Sequence, residues 1–276
     1  LEFPYVDALK VQEEFGSGVE FLPNAADGGG KAIRQLVAKH ELSAVFCEIP
    51  SNPQLRTADL ASLAEILGDE GIPLVVDDTI ATSVNVDVFP HADVVTTSLT
   101  KLFSGAGDVM AGGVVLRGDS PLHDKLLAFF EEDEIGDVWG GDALVLEHNS
   151  RDFRERVSKI NQTTEAVFDF LADHPAVERL WYPKNQTTDL YDEIRREDGG
   201  FGGLFSMLVS DAHRNAPKFY DALRVCKGPS LGTNFTLACP YMFLAHYPEL
   251  DWAESLGINR NLVRFSIGLE EPKDLI

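Results

Sequence analysis

The sequence predicts an α/β fold, in which a mainly parallel sheet domain is followed by a smaller α+β carboxyl-terminal domain. Two observations support this prediction. Between residues 31 and 116, helical patterns alternate with short apolar runs, which is typical of βαβ units. From residue 177 onward, strand patterns without that alternation replace it. We place the boundary near residue 155, which gives predicted domains at 1–155 and 156–276.

Short apolar runs predict the strands of the first domain. They cover residues 44–47, 72–76, 92–97 and 112–116. A helix is expected between the first two runs, with Thr57 as its N-cap and Gly68 just behind its last apolar residue. Three of the runs lead into polar residues, at Glu48, Asp77 and Ser98. Ligands bind at the carboxyl ends of the strands in open α/β sheets, so we expect a site at that edge.

The second domain is predicted from one long helix and several strand patterns. The helix covers residues 150–172 and ends before His174-Pro175. Strands are expected at residues 179–182, 202–209 and 262–267. Between the last two, residues 217–223 are predicted to form a helix that has Pro217 in its first turn.

Composition and charge restrict the classes of partner. The 276 residues are 44% hydrophobic and 25% charged, as in ordinary globular proteins with an apolar core. The chain has 45 acidic and 23 basic residues, which give a formal net charge of −22. Such a charge repels phosphate backbones and anionic lipid surfaces. The sequence therefore predicts neither a nucleic-acid partner nor a membrane partner.

The spacing of cysteines and histidines argues against a metal site. Cys47, Cys226 and Cys239 form no CxxC pair, and the seven histidines form no HExxH motif. We therefore predict that no metal is bound. So few cysteines also indicate a reducing compartment, and we expect the protein in the cytoplasm.

The strongest chemical signal is a lysine near hydroxyl groups and a carboxylate at the predicted sheet edge. Lys101 follows Ser98 and Thr100 after the third strand, and Asp77 ends the second strand. A lysine amine can form a Schiff base, a carboxylate can keep a pyridine nitrogen protonated, and hydroxyls can bind a phosphate. These are the three functions that a pyridoxal 5'-phosphate (PLP) site needs.

Each of these residues alone has a purely structural explanation. An aspartate at the end of a strand is usually a helix cap or turn former, and a lone lysine after a strand is usually exposed. Their combination at the expected ligand edge favours the PLP interpretation. A nicotinamide dehydrogenase is the alternative from another enzyme class. Its glycine pattern is incomplete, because Gly105 and Gly107 are followed by Met110 instead of a third small residue.

Several ordered segments resemble the PLP-dependent enzymes of cysteine and methionine metabolism, which include the trans-sulfuration enzymes. The segments are residues 48–53, 75–82, 92–95, 98–101, 107–113, 201–203, 230–232 and 262–270. Residues 78–80, 83–87 and 230–236 are most similar to those of fungal-type cystathionine γ-synthases. The resemblance implies the aspartate-aminotransferase-like fold of the fold type I PLP enzymes.

The same resemblance implies a role for each residue of the cofactor site. Lys101 would bind PLP covalently and move protons in catalysis, and Asp77 would pair with the pyridine nitrogen. Ser98 and Thr100 would bind the phosphate, and Thr79 would line the cofactor pocket.

Three further residues match positions that bind the substrate, a small amino acid. Asn52 and Ser230 match residues that flank the phenolic oxygen of the cofactor and the substrate carboxylate. Arg264 matches the arginine that binds this carboxylate, a task for which its planar guanidinium is suited.

The resemblance implies γ-replacement of an O-acylhomoserine by cysteine in methionine biosynthesis, carried out by a homo-oligomer, the tetramer of the family. Cystathionine γ-lyase and O-acylhomoserine sulfhydrylase are alternatives, although Pro229, where some γ-lyases have glutamate, favours the synthase. The amino-terminal portion of the family, with its phosphate loop, has no counterpart in this sequence. We therefore expect a fragment, and an inactive truncated relative is the alternative that is not an enzyme.

Overall fold

The computed structural model describes residues 1–27, 29–39, 42–132 and 138–276. Its helices are α1 (Val6–Phe15), α2 (Gly29–Lys39), α3 (Leu60–Gly68), α4 (Thr82–Asn85), α5 (His123–Glu132), α6 (Gly140–Ser150), α7 (Phe153–Ala172), α8 (Thr188–Ile194), α9 (Ala212–Ala222), α10 (Tyr241–Ala245), α11 (Leu250–Ser255) and α12 (Pro272–Leu275). Its strands are β1 (Val45–Glu48), β2 (Leu74–Asp77), β3 (Val94–Ser98), β4 (Gly112–Leu116), β5 (Val177–Trp181), β6 (Leu204–Val209), β7 (Cys226–Lys227), β8 (Leu237–Cys239) and β9 (Val263–Ser266). None of the helices in these residues is long and apolar enough to span a membrane.

In the described part of the chain, the first sheet contains β1, β2, β3 and β4 in that order. The strands β1, β2 and β3 are parallel, as predicted, and α3 connects β1 to β2. The strand β4 is the exception, because it runs antiparallel to β3. The connection between them contains the short turn Leu99–Phe103, whereas a parallel crossover usually needs a full helix.

The start of α3 differs from the prediction, which was wrong about its N-cap. Asp59 caps this helix, since its Oδ1 accepts a hydrogen bond from the Ser62 N–H at 2.9 Å. An N-cap accepts from a backbone N–H two or three residues ahead, and Asp59 has that spacing from Ser62. The N–H of Thr57, the predicted cap, instead donates to Thr187 Oγ1 at 2.7 Å.

The second sheet, within the residues described, has the strand order β5-β6-β9-β8-β7. The three strands predicted for the carboxyl-terminal part of the chain are confirmed as β5, β6 and β9, with shifted ends. The strands β7 and β8 were not predicted, because two or three residues are too few to produce a periodic pattern. Neighbouring strands are antiparallel except for the parallel pair of β7 and β8.

The helix α9 corrects the prediction for residues 217–223. It begins at Ala212, so Pro217 lies inside the helix and not in its first turn. The carbonyl of Asp211 accepts bonds from the N–H groups of Arg214 and Asn215, which starts the helix before the proline. Ala212 and Ala216 are buried in the core beside the second sheet, and this burial favours the earlier start.

The long predicted helix is confirmed as α7, which begins at Phe153 just after the end of α6. The domain boundary near residue 155 stays a prediction, since α7 passes that residue without a break. Each sheet has its own hydrophobic core, and each core includes residues from distant segments of the chain. Phe3 packs in the core of the second sheet, and Tyr191 packs in the core of the first.

Candidate active site

The polar carboxyl ends of β1, β2 and β3 meet at one edge of the first sheet, as predicted. The register places Glu48 opposite Asp77. Ser98 is the last residue of β3, which pairs with β2, and Lys101 lies in the turn that follows Ser98 directly. The strand ends therefore converge beside the loop that carries the lysine.

A chain of hydrogen bonds joins the end of β2 to the end of β3. The Thr79 N–H donates to Asp77 Oδ1 at 2.8 Å, and the Ser98 N–H donates to Thr79 Oγ1 at 2.7 Å. Burial raises the pKa of Asp77, while hydrogen bonds from Thr79 act in the opposite direction. A buried carboxylate of this kind is stabilised by a nearby cation, such as a protonated pyridine nitrogen.

Lys101 lies on an irregular turn and reaches the loop between β7 and β8 of the second sheet. The turn Leu99–Phe103 is π-helical and is interrupted at Lys101, which has φ −83° and ψ −125°. The Nζ atom donates a hydrogen bond to Ser230 Oγ at 3.0 Å. Burial, and then the charge of Arg264, lower the pKa of Lys101. A lower pKa increases the fraction of neutral amine, the form that acts as a nucleophile or base.

Arg264 on β9 joins Asn52 to the loop that contains Ser230. The side chain is buried, and its Nη1 donates to Asn52 Oδ1 at 3.0 Å. Its Nη2 donates to the carbonyls of Pro229 at 2.6 Å and Ser230 at 3.1 Å. The guanidinium also lies over the ring of Tyr241, 4.4 Å from the centroid. The structure thus brings the three predicted substrate residues together beside Lys101.

The two predicted phosphate residues lie at the start of the lysine turn, and both are half-buried. Thr100 Oγ1 accepts a bond from the Ala111 N–H at 3.0 Å and donates to the Ala111 carbonyl at 3.3 Å. To donate to a phosphate, this hydroxyl would exchange the longer of these bonds. Ser98 donates its backbone N–H to Thr79 Oγ1, and the Ser98 hydroxyl takes no part in this bond.

The residues present fit PLP in their chemistry. Lys101 supplies an amine of lowered pKa, and Asp77 supplies a buried carboxylate. The hydroxyls of Ser98 and Thr100 supply phosphate donors between them. Together these groups form the donor set that a PLP enzyme uses to bind its cofactor. Among the described residues, no cluster of three or more His, Cys, Asp or Glu could hold a metal ion.

Two features of the site were not predicted. Glu48 is 6% exposed, its Oε1 accepts a bond from the Tyr5 N–H at 2.6 Å, and burial and the charge of Asp77 raise its pKa to about 8. Arg156 on α7 is buried against the lysine turn. The sequence marks Glu48 only as a polar strand end and Arg156 only as one basic residue of a helix, because burial decides both roles.

A lysine, a carboxylate and hydroxyls at the strand ends of such a sheet are the arrangement of a PLP-dependent enzyme of the α/β class. A family model described as "Cys/Met metabolism PLP-dependent enzyme" matches residues 11–276, and the chain belongs to this family. Membership confirms the predicted cofactor, enzyme class and family. It does not support the nicotinamide dehydrogenase alternative.

Curated relatives include two cystathionine γ-synthases from fungi. That of Neurospora crassa is 43% identical over 277 residues, covering 99% of this chain and 44% of the relative. That of Saccharomyces cerevisiae is 42% identical over 279 residues, covering 97% of this chain and 43% of the relative. The chain therefore spans less than half the length of these proteins.

Solved structures confirm the predicted fold class. A cystathionine γ-synthase from Xanthomonas oryzae pv. oryzae, in complex with aminoacrylate and cysteine, gives a TM-score of 0.85 at 25% identity. This match covers 97% of this chain and 69% of the solved chain. The same enzyme in complex with cystathionine gives a TM-score of 0.85 at 26% identity, with coverages of 97% and 69%.

Proposed function

We propose that the protein catalyses γ-replacement, in which cysteine displaces the acyloxy group of an O-acylhomoserine and cystathionine is formed, as a step of methionine biosynthesis. The observation that carries this proposal is the hydrogen bond from Lys101 Nζ to Ser230 Oγ, beside the buried guanidinium of Arg264. A base next to a carboxylate-binding group is what chemistry at the α-carbon of an amino acid requires. The identity of 42–43% with two cystathionine γ-synthases supports this particular reaction.

The residues at the sheet edge would hold the cofactor. Lys101 would bind PLP covalently, Asp77 would pair with its ring nitrogen, and Ser98 and Thr100 would bind its phosphate. Thr79 would support this arrangement, because it bonds to both Asp77 and Ser98. When bound, PLP supplies an electron sink that stabilises negative charge on substrate carbons.

Lys101 would also move the proton of the substrate α-carbon. Its Nζ accepts that proton in the neutral form, which burial and the charge of Arg264 favour by lowering the pKa. Ser230 Oγ accepts a hydrogen bond from Nζ and so fixes the direction of the amine. Lys101 would therefore act as the base from a position that Ser230 holds.

Arg264 would bind the substrate carboxylate, assisted by Asn52. A guanidinium has five N–H donors, and the bonds to Asn52, Pro229 and Ser230 leave donors available for a carboxylate. Burial strengthens a charge-assisted bond at this position. The same contacts hold the guanidinium plane in place before the substrate arrives.

We further propose that the protein works as a homo-oligomer in the cytoplasm. Apolar side chains exposed on β4, on α5 and at the start of α6 support an interface: Val114, Val115, Phe129, Trp139 and Leu144. The free thiols of Cys47, Cys226 and Cys239 support a reducing compartment. Light scattering after size-exclusion chromatography tests the first statement, and a monomer at micromolar concentration would contradict it.

Borohydride trapping tests the proposed cofactor site. With PLP added, the full chain should absorb visible light, and reduction should leave a label that maps to Lys101. The Lys101→Ala variant should lose both signals, whereas Lys125→Ala, at an exposed position, should keep them. A label on another lysine, or no label, would contradict the proposal.

Product analysis tests the proposed reaction. The loaded protein receives an O-acylhomoserine with either cysteine or sulfide, and then cystathionine alone. Cystathionine formed faster than homocysteine supports the synthase. Faster use of sulfide indicates a sulfhydrylase, and cleavage of cystathionine as the main activity indicates a γ-lyase.

A further inference from the structure

Arg156 on α7 is an arginine with only 5% of its surface exposed. Its Nη1 donates to the carbonyl of Leu102 at 3.0 Å, and its Nη2 donates to the carbonyl of Phe103 at 2.8 Å. Nη2 also donates to the carbonyl of Asn149 at 2.9 Å, and Nε donates to Asp152 Oδ1 at 2.8 Å. The guanidinium therefore binds the two backbone carbonyls that directly follow Lys101.

These carbonyls belong to a turn that cannot satisfy them itself. The backbone at Lys101 departs from helical angles, and the chain leaves the turn at Gly105, which has φ +72°. Carbonyls at the end of a helical turn need an outside donor when they are buried. Arg156 supplies that donor, and a guanidinium can reach two adjacent carbonyls at once because its N–H groups form a planar fork.

Arg156 also contacts the loop that carries the hydrogen-bond partner of Lys101. Its Nη1 lies 3.4 Å from Asn234 Oδ1, and the Asn234 N–H donates to the carbonyl of Gly105 at 2.7 Å. In the same loop, a Cβ at Gly232 would lie 2.6 Å from the Leu102 nitrogen. The lysine turn and the loop with Ser230 are thus packed together around one guanidinium.

We propose that Arg156 is a positioning residue, which holds the lysine turn against the loop of Ser230 so that Lys101 Nζ meets Ser230 Oγ. This inference depends on the proposed function, since it assigns a purpose to the position of Lys101. Arg156 acts through the backbone of that turn, because it donates to the carbonyls of Leu102 and Phe103.

The test compares Arg156→Lys and Arg156→Gln with Arg154→Gln. Arg154 lies on the same helix, is 71% exposed and so provides a matched control. The first measurement is the first-order rate at which PLP attaches covalently to Lys101 at saturating PLP. Borohydride trapping at successive times and at several pH values monitors this rate. We expect this rate to fall about tenfold or more in both Arg156 variants, because a misplaced amine attacks poorly.

Two readouts separate positioning from a general loss of stability. In the Arg156 variants, the pH midpoint of attachment should rise, because a displaced Nζ loses the burial that lowers its pKa. In protein without PLP, the Gly105 and Asn234 amides should exchange hydrogen at least about tenfold faster, while amides of β2 keep their rates. Asn234→Ala removes the bond that Arg156 Nη1 donates to Asn234 Oδ1 and leaves the other bonds of Arg156 in place. This variant should change the attachment rate, the pH midpoint and the exchange rates in the same direction, but by less.

The outcomes distinguish this inference from the proposed function. If the wild-type chain never attaches PLP at Lys101, the proposed function fails, and the exchange rates still test the contact. If the wild type attaches PLP and the Arg156 variants match Arg154→Gln in rate and pH midpoint, the positioning role is wrong. If the Arg156 variants do not fold, Asn234→Ala with wild-type rate and wild-type exchange at Gly105 would also overturn it.

Discussion

Glu48 and Asp77 stand opposite each other at the carboxyl ends of β1 and β2, and the charge of Asp77 adds to burial in raising the pKa of Glu48 to about 8. Two buried carboxyl groups so close do not both ionise readily at neutral pH. Asp77 receives hydrogen bonds from Thr79 that favour its charged form. The pair therefore favours one negative charge at the sheet edge, on the residue proposed to pair with the cofactor.

The first prediction concerns the pH dependence of stability. The folded pKa of Glu48, about 8, exceeds that of an unfolded glutamate, about 4.3. Its contribution to stability is therefore complete below about pH 4 and is lost as pH rises toward about 8. Between pH 5 and 8, the free energy of unfolding should therefore fall less steeply in Glu48→Gln than in the wild type. The two slopes should differ by up to about 1.4 kcal/mol per pH unit.

Urea unfolding at several pH values measures this slope. Glu65→Gln, at an exposed position on α3, is the matched control and should keep the wild-type slope. An unchanged slope in Glu48→Gln would mean that Glu48 is already ionised in the folded protein at pH 5.

The second prediction concerns Asp77 as the partner of a cationic ring. Asp77→Asn should lower kcat for the proposed reaction at least about 100-fold, because an asparagine would no longer keep the ring nitrogen of PLP protonated. This is the size of effect expected from the loss of a group that takes part in acid–base chemistry. The fold should survive, because the asparagine oxygen can still accept the bond from the Thr79 N–H. Activity and thermal midpoint are measured together, with Asp69→Asn as the exposed control. An unaffected kcat would remove Asp77 from the mechanism.

The third prediction concerns the close approach of Gly232 to the lysine turn. In Gly232→Ala, the new Cβ would lie 2.6 Å from the Leu102 nitrogen and 2.9 Å from the Lys101 carbonyl carbon, at φ +76°. Gly257→Ala is the matched control, since Gly257 has φ +84° and nothing within 4 Å of the new Cβ. The control should cost about 1 kcal/mol from backbone strain, and Gly232→Ala should cost about 3 kcal/mol or more.

Denaturant unfolding of both variants gives the comparison, and covalent PLP attachment at Lys101 should slow only in Gly232→Ala. Equal costs for the two substitutions would show that the loop of Ser230 can move away from Lys101. The close packing of the two loops would then not control the position of the amine.

The fourth prediction concerns Arg264 as the carboxylate-binding group. A lysine lacks the planar fork, so Arg264→Lys cannot bond to Asn52 and the carbonyls of Pro229 and Ser230 in the same way. We expect KM for the amino-acid substrate to rise about 10- to 100-fold, as for the loss of one charge-assisted bond. Steady-state kinetics measure this change, and Arg260→Lys, which keeps a charge in its surface ion pairs, is the control. A wild-type KM in Arg264→Lys would place the carboxylate elsewhere.

Much of the fold was predictable because burial leaves a local pattern in the sequence. The apolar runs that lead to the polar ends of β1 and β2 are uninterrupted, as expected for strands covered on both faces. The polar residues at the ends of the strands mark the site edge in the sequence itself. The helix α9 was misplaced by five residues at its start, because Pro217 gives a strong local signal and the burial of Ala212 gives none.

By itself, the sequence determined the family, the class of cofactor and the identity of the candidate site residues. Only the tertiary structure decided which of them meet: Lys101 and Ser230 lie 129 positions apart, yet share a hydrogen bond. It also decided the protonation of Glu48 and the contacts of Arg156. The physical reason is that the pKa of a group and the partner of a buried donor depend on which distant segments exclude water around it, and no local pattern records that.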